Sequence, residues 1–301
     1  MELRNERDRK VLVVGAAGEL GSQICKHLCK RGQGVIAVDD ISTGNLSNIE
    51  ELYTLKNFFF IRSNIADLEI PGGVGTIIYL PNPDRSSATG VLSSNIDGLI
   101  NCLDYCHDNM SKIIYGSIPT PLSPLDGSQM SNAHYLSRQY GESLVRSAYE
   151  KSQLGTIIAR IPEVYGPGPV GNRGLIRGYI RSALDTGTIT VTKDINSQRS
   201  YLHIQDLIAM ISESLDLVEV GGFSVVEMFG LDVLTSSELA NEISSRIEGQ
   251  SGGKSATIYR GRKYSHKRAV ASVGKSVLKT RPRIKLFDTL DSMIDEEKDK
   301  R

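Results

Sequence analysis

The residues best placed to do chemistry lie near the start of the chain. Gly15-Ala16-Ala17-Gly18-Glu19-Leu20-Gly21 carries a glycine at every third position. It follows the apolar run Lys10-Val11-Leu12-Val13-Val14 and opens a stretch with helical patterning. Glycine is needed there for a tight turn, for close approach of backbone to a pyrophosphate, and for packing a helix against a strand. The helix N-terminus then turns free N–H groups toward phosphate oxygens. Asp39, eighteen residues beyond Gly21, ends the next apolar run. A carboxylate there accepts both hydroxyls of an adenosine ribose and repels a 2′-phosphate. The pattern predicts a site for NAD formed by Gly15, Gly18, Leu20, Gly21 and Asp39. A glycine turn that binds nothing is the plainer alternative. The strand before it, the helix after it and the acid at the next strand end weigh against that.

The elements that must position these residues alternate. Short β-branched runs predict strands at 10–14, 35–38, 58–61, 76–80, 112–115 and 156–160. Helices are expected at about 20–31, 94–109 and 132–151. Strand–helix alternation of this kind implies an α/β fold, a Rossmann doubly wound parallel sheet. After Pro162 the turn-rich Tyr165-Gly166-Pro167-Gly168-Pro169 breaks the pattern. The expected organisation is a charged tail at 1–10, an NAD-binding domain at 11–162 and a smaller C-terminal substrate lobe at 163–301. Some elements of that lobe are free to return to the first domain. The charged end, Asp295 to Arg301, is expected to fray.

The whole chain has 301 residues, with 35 acidic side chains against 35 Lys and Arg, so no global charge draws it to nucleic acid or anionic membrane. No window is long and apolar enough to span a bilayer, and the first ten residues lack an apolar signal core. A cytoplasmic location is the expectation. Cys25 and Cys29, and likewise Cys102 and Cys106, stand four apart on expected helices. That places each pair on one helix face, where small apolar side chains facing a core are the simpler reading than a metal site.

Several further stretches make the chain similar to the extended short-chain dehydrogenase/reductases, the NAD-dependent nucleotide-sugar epimerase/dehydratase family. Asp39-Asp40-Ile41-Ser42-Thr43-Gly44-Asn45 resembles D-x-L-S-T-G after the second strand. Asn64-Ile65-Ala66-Asp67 resembles the adenine-edge D-I-x-D, with Asn for the first Asp. Ser94-Asn95-Ile96-Asp97-Gly98 resembles an N-v-x-G helix start. Arg160-Ile161-Pro162-Glu163-Val164-Tyr165-Gly166-Pro167-Gly168 resembles R-x-x-N-V-Y-G-P-G, and Arg199-Ser200-Tyr201-Leu202-His203-Ile204-Gln205-Asp206 resembles R-D-Y-V-H-V-x-D. The resemblance runs from Val11 to about Ile294. It adds Asn64, Ile65 and Asn95 to the expected cofactor site.

The family's chemistry uses a tyrosine and a lysine four apart on one helix face, plus a Ser or Thr after strand five. Here Leu136-Ser137-Arg138-Gln139-Tyr140-Gly141-Glu142-Ser143-Leu144 resembles L-S-K-L-Y-G-E-S-L. His134 then takes the tyrosine position and Arg138 the lysine position. His134 can move a proton near neutral pH. Arg138 can hydrogen-bond a ribose but is bulkier than lysine and permanently charged. Tyr135 is one residue off, about 100° round the helix, and is expected to point elsewhere. After strand five the hydroxyl position falls on Ile118, with Ser117 and Thr120 beside it. Leu80-Pro81-Asn82-Pro83-Asp84 replaces an alanine pair and stiffens the wall beside the nicotinamide.

In the substrate lobe the resemblance gives Arg199 and Arg262 the role of holding a nucleotide diphosphate. Glu163 replaces an asparagine near the same phosphates and would repel them unless Arg160 or Arg173 neutralised it. A structural ion pair of Arg199 with Asp206 or Glu163 is the alternative. The expected partner is a nucleotide sugar or related anionic small molecule. A basic run at 254–268, with Tyr259 and Tyr264 interleaved, also fits RNA, although a solvated face is the commoner meaning of such a run. The readings open at this point are an enzyme with altered catalytic residues, a silent NAD or sugar-nucleotide binder serving as sensor or partner subunit, and an RNA-binding member. A homodimer through the helices at 94–109 and 132–151 is expected from the family, with Tyr140, Leu144, Val145 and Ala148 able to line the seam or to face the chain's own sheet.

Overall fold

Alternation within the first strands decides the layering. Strand β1 (Lys10–Val14) sends Val11 and Val13 into one core and Leu12 and Val14 into another. Strand β2 (Val35–Asp39) repeats this with Val35 and Ala37 against Ile36 and Val38. A strand buried on both faces needs helices on both faces. The computed structural model describes residues 9–80, 91–119, 133–168, 174–191, 198–251, 256–260 and 277–301.

The strands continue with β3 (Phe58–Arg62), β4 (Val74–Tyr79), β5 (Lys112–Ser117) and β6 (Thr156–Arg160). With β10 (Phe223–Glu227) they form a seven-stranded parallel sheet in the order β10-β6-β5-β4-β1-β2-β3. The chain thus has the doubly wound parallel sheet that its alternation implies. Helices α1 (Glu19–Lys30) and α5 (Ile204–Leu217) pack on one face of the sheet. Helices α2 (Gly98–Asn109) and α3 (Ala133–Ser152) pack on the other. The last strand and α5 come from beyond Pro162, so the C-terminal segment contributes to this layer as well as to its own.

All four cysteines are buried and free. Cys25 and Cys29 lie in the α1 core, Cys102 and Cys106 in the α2 core. Burial pushes the Cys106 thiol up to about 12 and the Cys29 thiol up to about 11. They pack as small apolar groups.

The remainder is a smaller lobe. It contains β7 (Glu163–Tyr165), α4 (Leu175–Thr186), β8 (Thr188–Val191), β9 (Gln198–His203), β11 (Asp232–Thr235), α6 (Ser236–Ser251), β12 (Thr257–Arg260) and α7 (Leu286–Asp299). Strands β11, β9 and β7 form one small sheet, and β12 pairs with β8 in another. A third core lies here, with Ile180, Tyr201, Ile243 and Leu290 at its centre. Residues 295–299 of the charged tail are the last turn and more of α7. The reason is Glu297, which is buried and bonded to Arg177 at 2.6 Å, while Ile294 and Met293 fill the third core. No helix among the described residues is long and apolar enough to cross a membrane.

Candidate functional site

The glycine loop joins β1 to α1 at the carboxyl edge of the sheet. Gly15 has φ +79°, a left-handed conformation that side chains rarely adopt. A Cβ on Gly21 would stand 2.1 Å from the Gly15 carbonyl oxygen and 2.8 Å from the Ala16 Cα. Strand and helix therefore approach closely only because both positions lack a side chain. Gly18 is the N-cap, and no side chain among the described residues caps the helix there. Leu20 packs against the core beneath. The result is a backbone cradle with helix N–H groups turned outward, the form an anion site takes.

Asp39 closes one side of this cradle. Its two carboxylate oxygens accept from the Ala17 amide at 2.9 Å and the Ile41 amide at 2.8 Å. Burial raises its pKa, and those amides oppose the rise. Ile41 has φ +63°, an uncommon conformation for a β-branched residue, so the loop after β2 is held under local strain at the rim of the site. Asn45 and Asn48 both donate to the Ala17 carbonyl, at 3.0 and 2.9 Å, and pin that loop to the glycine turn.

Asn64 and Ile65 follow β3. The Asn64 side chain accepts from the Ala66 amide at 3.1 Å, forming a local turn. Ile65 is buried, and its carbonyl accepts from Asn101 at 2.7 Å. Asn95 lies in a π-helical turn, Ser93–Asp97, just before α2. Such turns recur at functional sites. Asn95 is fully buried and donates to Ser137 Oγ at 2.8 Å, while its Oδ1 has no partner among the described residues. It ties α2 to α3.

The catalytic candidates gather along α3 and the end of β5. Residues 138, 141, 142 and 145 of α3 face inward. His134, four residues before Arg138, stands on that face in the first turn; its side chain lies outside the described residues. The buried Arg138 donates to the Gly116 carbonyl at 2.8 Å, and the Tyr115 hydroxyl donates to the Arg138 carbonyl at 3.2 Å. Ser117 is buried with its hydroxyl donating to Glu142 at 2.6 Å. Arg160 bonds the same carboxylate through two nitrogens, at 3.0 and 2.7 Å, and reaches Glu227 at 2.8 Å. Ile118 is half-buried. Tyr135 is half-buried. Its phenol has a raised pKa because of partial burial and the nearby Glu142 carboxylate, with Arg160 opposing. Residues seven apart on a helix nearly align, which places Tyr135 on the Glu142 side of α3.

In the small lobe Arg199 pairs with Glu163 at 3.1 Å. Asp206 instead accepts from the Arg283 and Ile284 amides at 2.9 and 3.0 Å. Arg160, engaged with Glu142 and Glu227, is not the counter-ion of Glu163. Arg262 and Arg173, the Pro81–Pro83 stretch, Thr120 and most of the basic run at 254–268 lie outside the described residues. Glu142 and Glu227 were not singled out in the sequence, although Glu142 follows Arg138 at helical spacing.

A model of the NAD dependent epimerase/dehydratase family matches residues 11–223. The chain is 27% identical over 266 residues to dTDP-4-dehydro-6-deoxy-D-allose reductase of Streptomyces bikiniensis, covering 78% of this chain and 80% of that protein. It is 25% identical over 297 residues to an uncharacterised UDP-glucose epimerase of Bacillus subtilis, covering 85% and 92%. The crystal structure of UDP-glucuronic acid 4-epimerase from Bacillus cereus, in complex with UDP-glucuronic acid and NAD, aligns with a TM-score of 0.82 at 22% identity, over 97% of this chain and 100% of that one. With a glycine cradle and acid that suit a dinucleotide, and a family match spanning more than half its length, the chain belongs to the NAD-dependent epimerase/dehydratase family.

Proposed function

We propose that the chain is an NAD-dependent enzyme that acts on a nucleotide sugar, as an epimerase, dehydratase or reductase, with a changed acid–base pair. The observation that carries this is the intact glycine turn: Gly15 takes φ +79°, Gly18 and Gly21 let α1 close onto its carbonyl, and Asp39 stands beside the turn. NAD, when bound, supplies a hydride acceptor. Leu20, Asn64, Ile65 and Asn95 complete its surroundings. His134 is the proton carrier, and Arg138, fixed by the Gly116 carbonyl, orients the ribose. Ser117 positions Glu142 rather than reacting, because its hydroxyl is already engaged. By the family resemblance Arg199 and Arg262 would hold the ligand's phosphates. Relatives named for dTDP- and UDP-sugars support the substrate class.

A silent binding protein is the second reading. It is favoured by one observation, the pairing of Arg199 with Glu163, which engages a guanidinium that a diphosphate needs. Denaturing the purified protein and measuring released NAD(H), then incubating it with UDP- and dTDP-sugars, separates the two. Product formation that His134→Ala abolishes establishes the enzyme. Bound NAD without turnover of any sugar nucleotide rejects it in favour of the silent reading.

The chain also forms a homodimer on this reading. Leu136 and Tyr140 are exposed on α3, four residues apart, and Ile100 is exposed on α2. Val145 is not part of that seam: it is fully buried against the chain's own sheet, with Leu144 and Ala148 packed beside it.

A further inference from the structure

Glu163 opens β7 three residues after Arg160 ends β6, at the carboxyl edge of the large sheet. That edge is where ligands of open α/β sheets bind. Strand β9 runs parallel beside β7, with Tyr201 in register with Glu163, and Arg199 reaches back to the Glu163 carboxylate. The two side chains are 36% and 37% exposed, so solutes reach both. Neighbouring guanidiniums are engaged more deeply. Arg160 holds Glu142 and Glu227, and Arg177 holds Glu296, Glu297 and the Gly166 carbonyl.

A second carboxyl group faces the same space. Glu19 is the first residue of α1 and adjoins the glycine cradle. Burial raises its pKa, Arg177 opposes the rise, and Glu163 adds to it. Glu163 thus stands within electrostatic reach of both Arg199 and Glu19. An ion pair this exposed adds little to stability, so a purely structural role explains little about it. Its chemical consequence is larger. Glu163 holds one nitrogen of Arg199 and offsets its charge, so a phosphate that meets the same guanidinium also meets a carboxylate. The Glu163 charge then lies beside the incoming anion.

We propose that Glu163 is a selectivity residue: its carboxylate pairs with Arg199 in the free protein, and an anionic ligand competes with it for that guanidinium. Diphosphates therefore bind weakly, and a ligand that offers a hydrogen-bond donor to Glu163 while its phosphate meets Arg199 is preferred. This rests on the reading of the small lobe as a sugar-nucleotide pocket.

The test is calorimetric titration with UDP and with inorganic pyrophosphate. Three full-length proteins are compared: the natural chain, Glu163→Gln, and Glu163→Gln combined with Arg199→Ala. Melting curves and NAD titrations verify that all three keep the fold. The expected result is about tenfold tighter binding of both probes by Glu163→Gln, with the gain lost when Arg199 is also removed. Equal UDP affinity of the natural chain and Glu163→Gln overturns the inference and leaves the nucleotide reading standing. A gain for pyrophosphate with no preference for UDP upholds the inference and rejects the nucleotide reading. Absence of binding to any of the three proteins rejects both.

Discussion

Ser117 and Glu142 meet at 2.6 Å, hydroxyl to carboxylate, where the end of β5 touches α3. Arg160 grips the same carboxylate from the neighbouring strand, since Arg160 and Ser117 are in register across β6 and β5. A hydroxyl held this way aligns the helix that carries His134 and Arg138. Ser117→Ala is expected to cost about 1 kcal/mol, one hydrogen bond, and to leave turnover near normal. Glu142→Gln is expected to cost about 3 kcal/mol, because Arg160 loses a buried counter-ion. Urea denaturation measures both. Loss of turnover in Ser117→Ala with unchanged stability would instead make the hydroxyl a reacting group.

The glycine cradle gives a sharper expectation. Gly21→Ala places a methyl group 2.1 Å from the Gly15 carbonyl oxygen, on backbone that cannot turn aside. Strand β1 and helix α1 must separate, at a cost of about 1–3 kcal/mol. The N–H groups that face a pyrophosphate move with the helix. NAD affinity measured by titration should fall steeply in a protein that still melts cooperatively. Unchanged affinity would mean that the cofactor does not rest on this turn.

Much of this arrangement was legible in the sequence, for physical reasons. Strands buried on both faces write themselves as unbroken apolar runs, so β1, β2, β5 and β6 were readable. The glycine spacing is forced by backbone contact, and no other residue type substitutes. Strand β10 does not stand out in the sequence, because Phe223-Ser-Val-Val-Glu is a sheet edge and is only partly apolar. Ion pairs were the least legible part. Asp206 and Glu163 were equal candidates for Arg199, and only the register of β7 on β9 separates them.

Helix α7 depends on a carboxylate in the same way. Burial works against ionisation of Glu297, but hydrogen bonds from Arg181, Lys300 and Arg177 overcome it and hold the carboxyl at about 2. The folded value is depressed from 4.5, so this contribution to stability is complete above about pH 4.5 and is lost as pH falls toward 2. Glu297→Gln is expected to destabilise by about 3 kcal/mol near neutral pH, since it leaves Arg177 buried without a full counter-charge. Melting curves of the two proteins should converge on acidification through that window. A gap that stays constant to pH 2 would assign the loss to packing.

The exposed stripe on α3 leads to the last expectation. Tyr140 is 56% and Leu136 48% exposed, one helical turn apart, while Val145 on the same helix is fully buried. A helix that already buries one apolar stripe against its sheet has no need of a second unless another surface covers it. Ile100 on α2 is 41% exposed as well, and an apolar surface of this kind can be covered by a second copy across a two-fold axis. The natural chain should sediment as a dimer at micromolar concentration. Leu136→Glu combined with Tyr140→Glu should sediment as a monomer with its parallel sheet intact by circular dichroism, because neither side chain belongs to the core. A monomeric mass for the natural chain rejects the dimer, and a dimeric mass for the double variant moves the interface to another face.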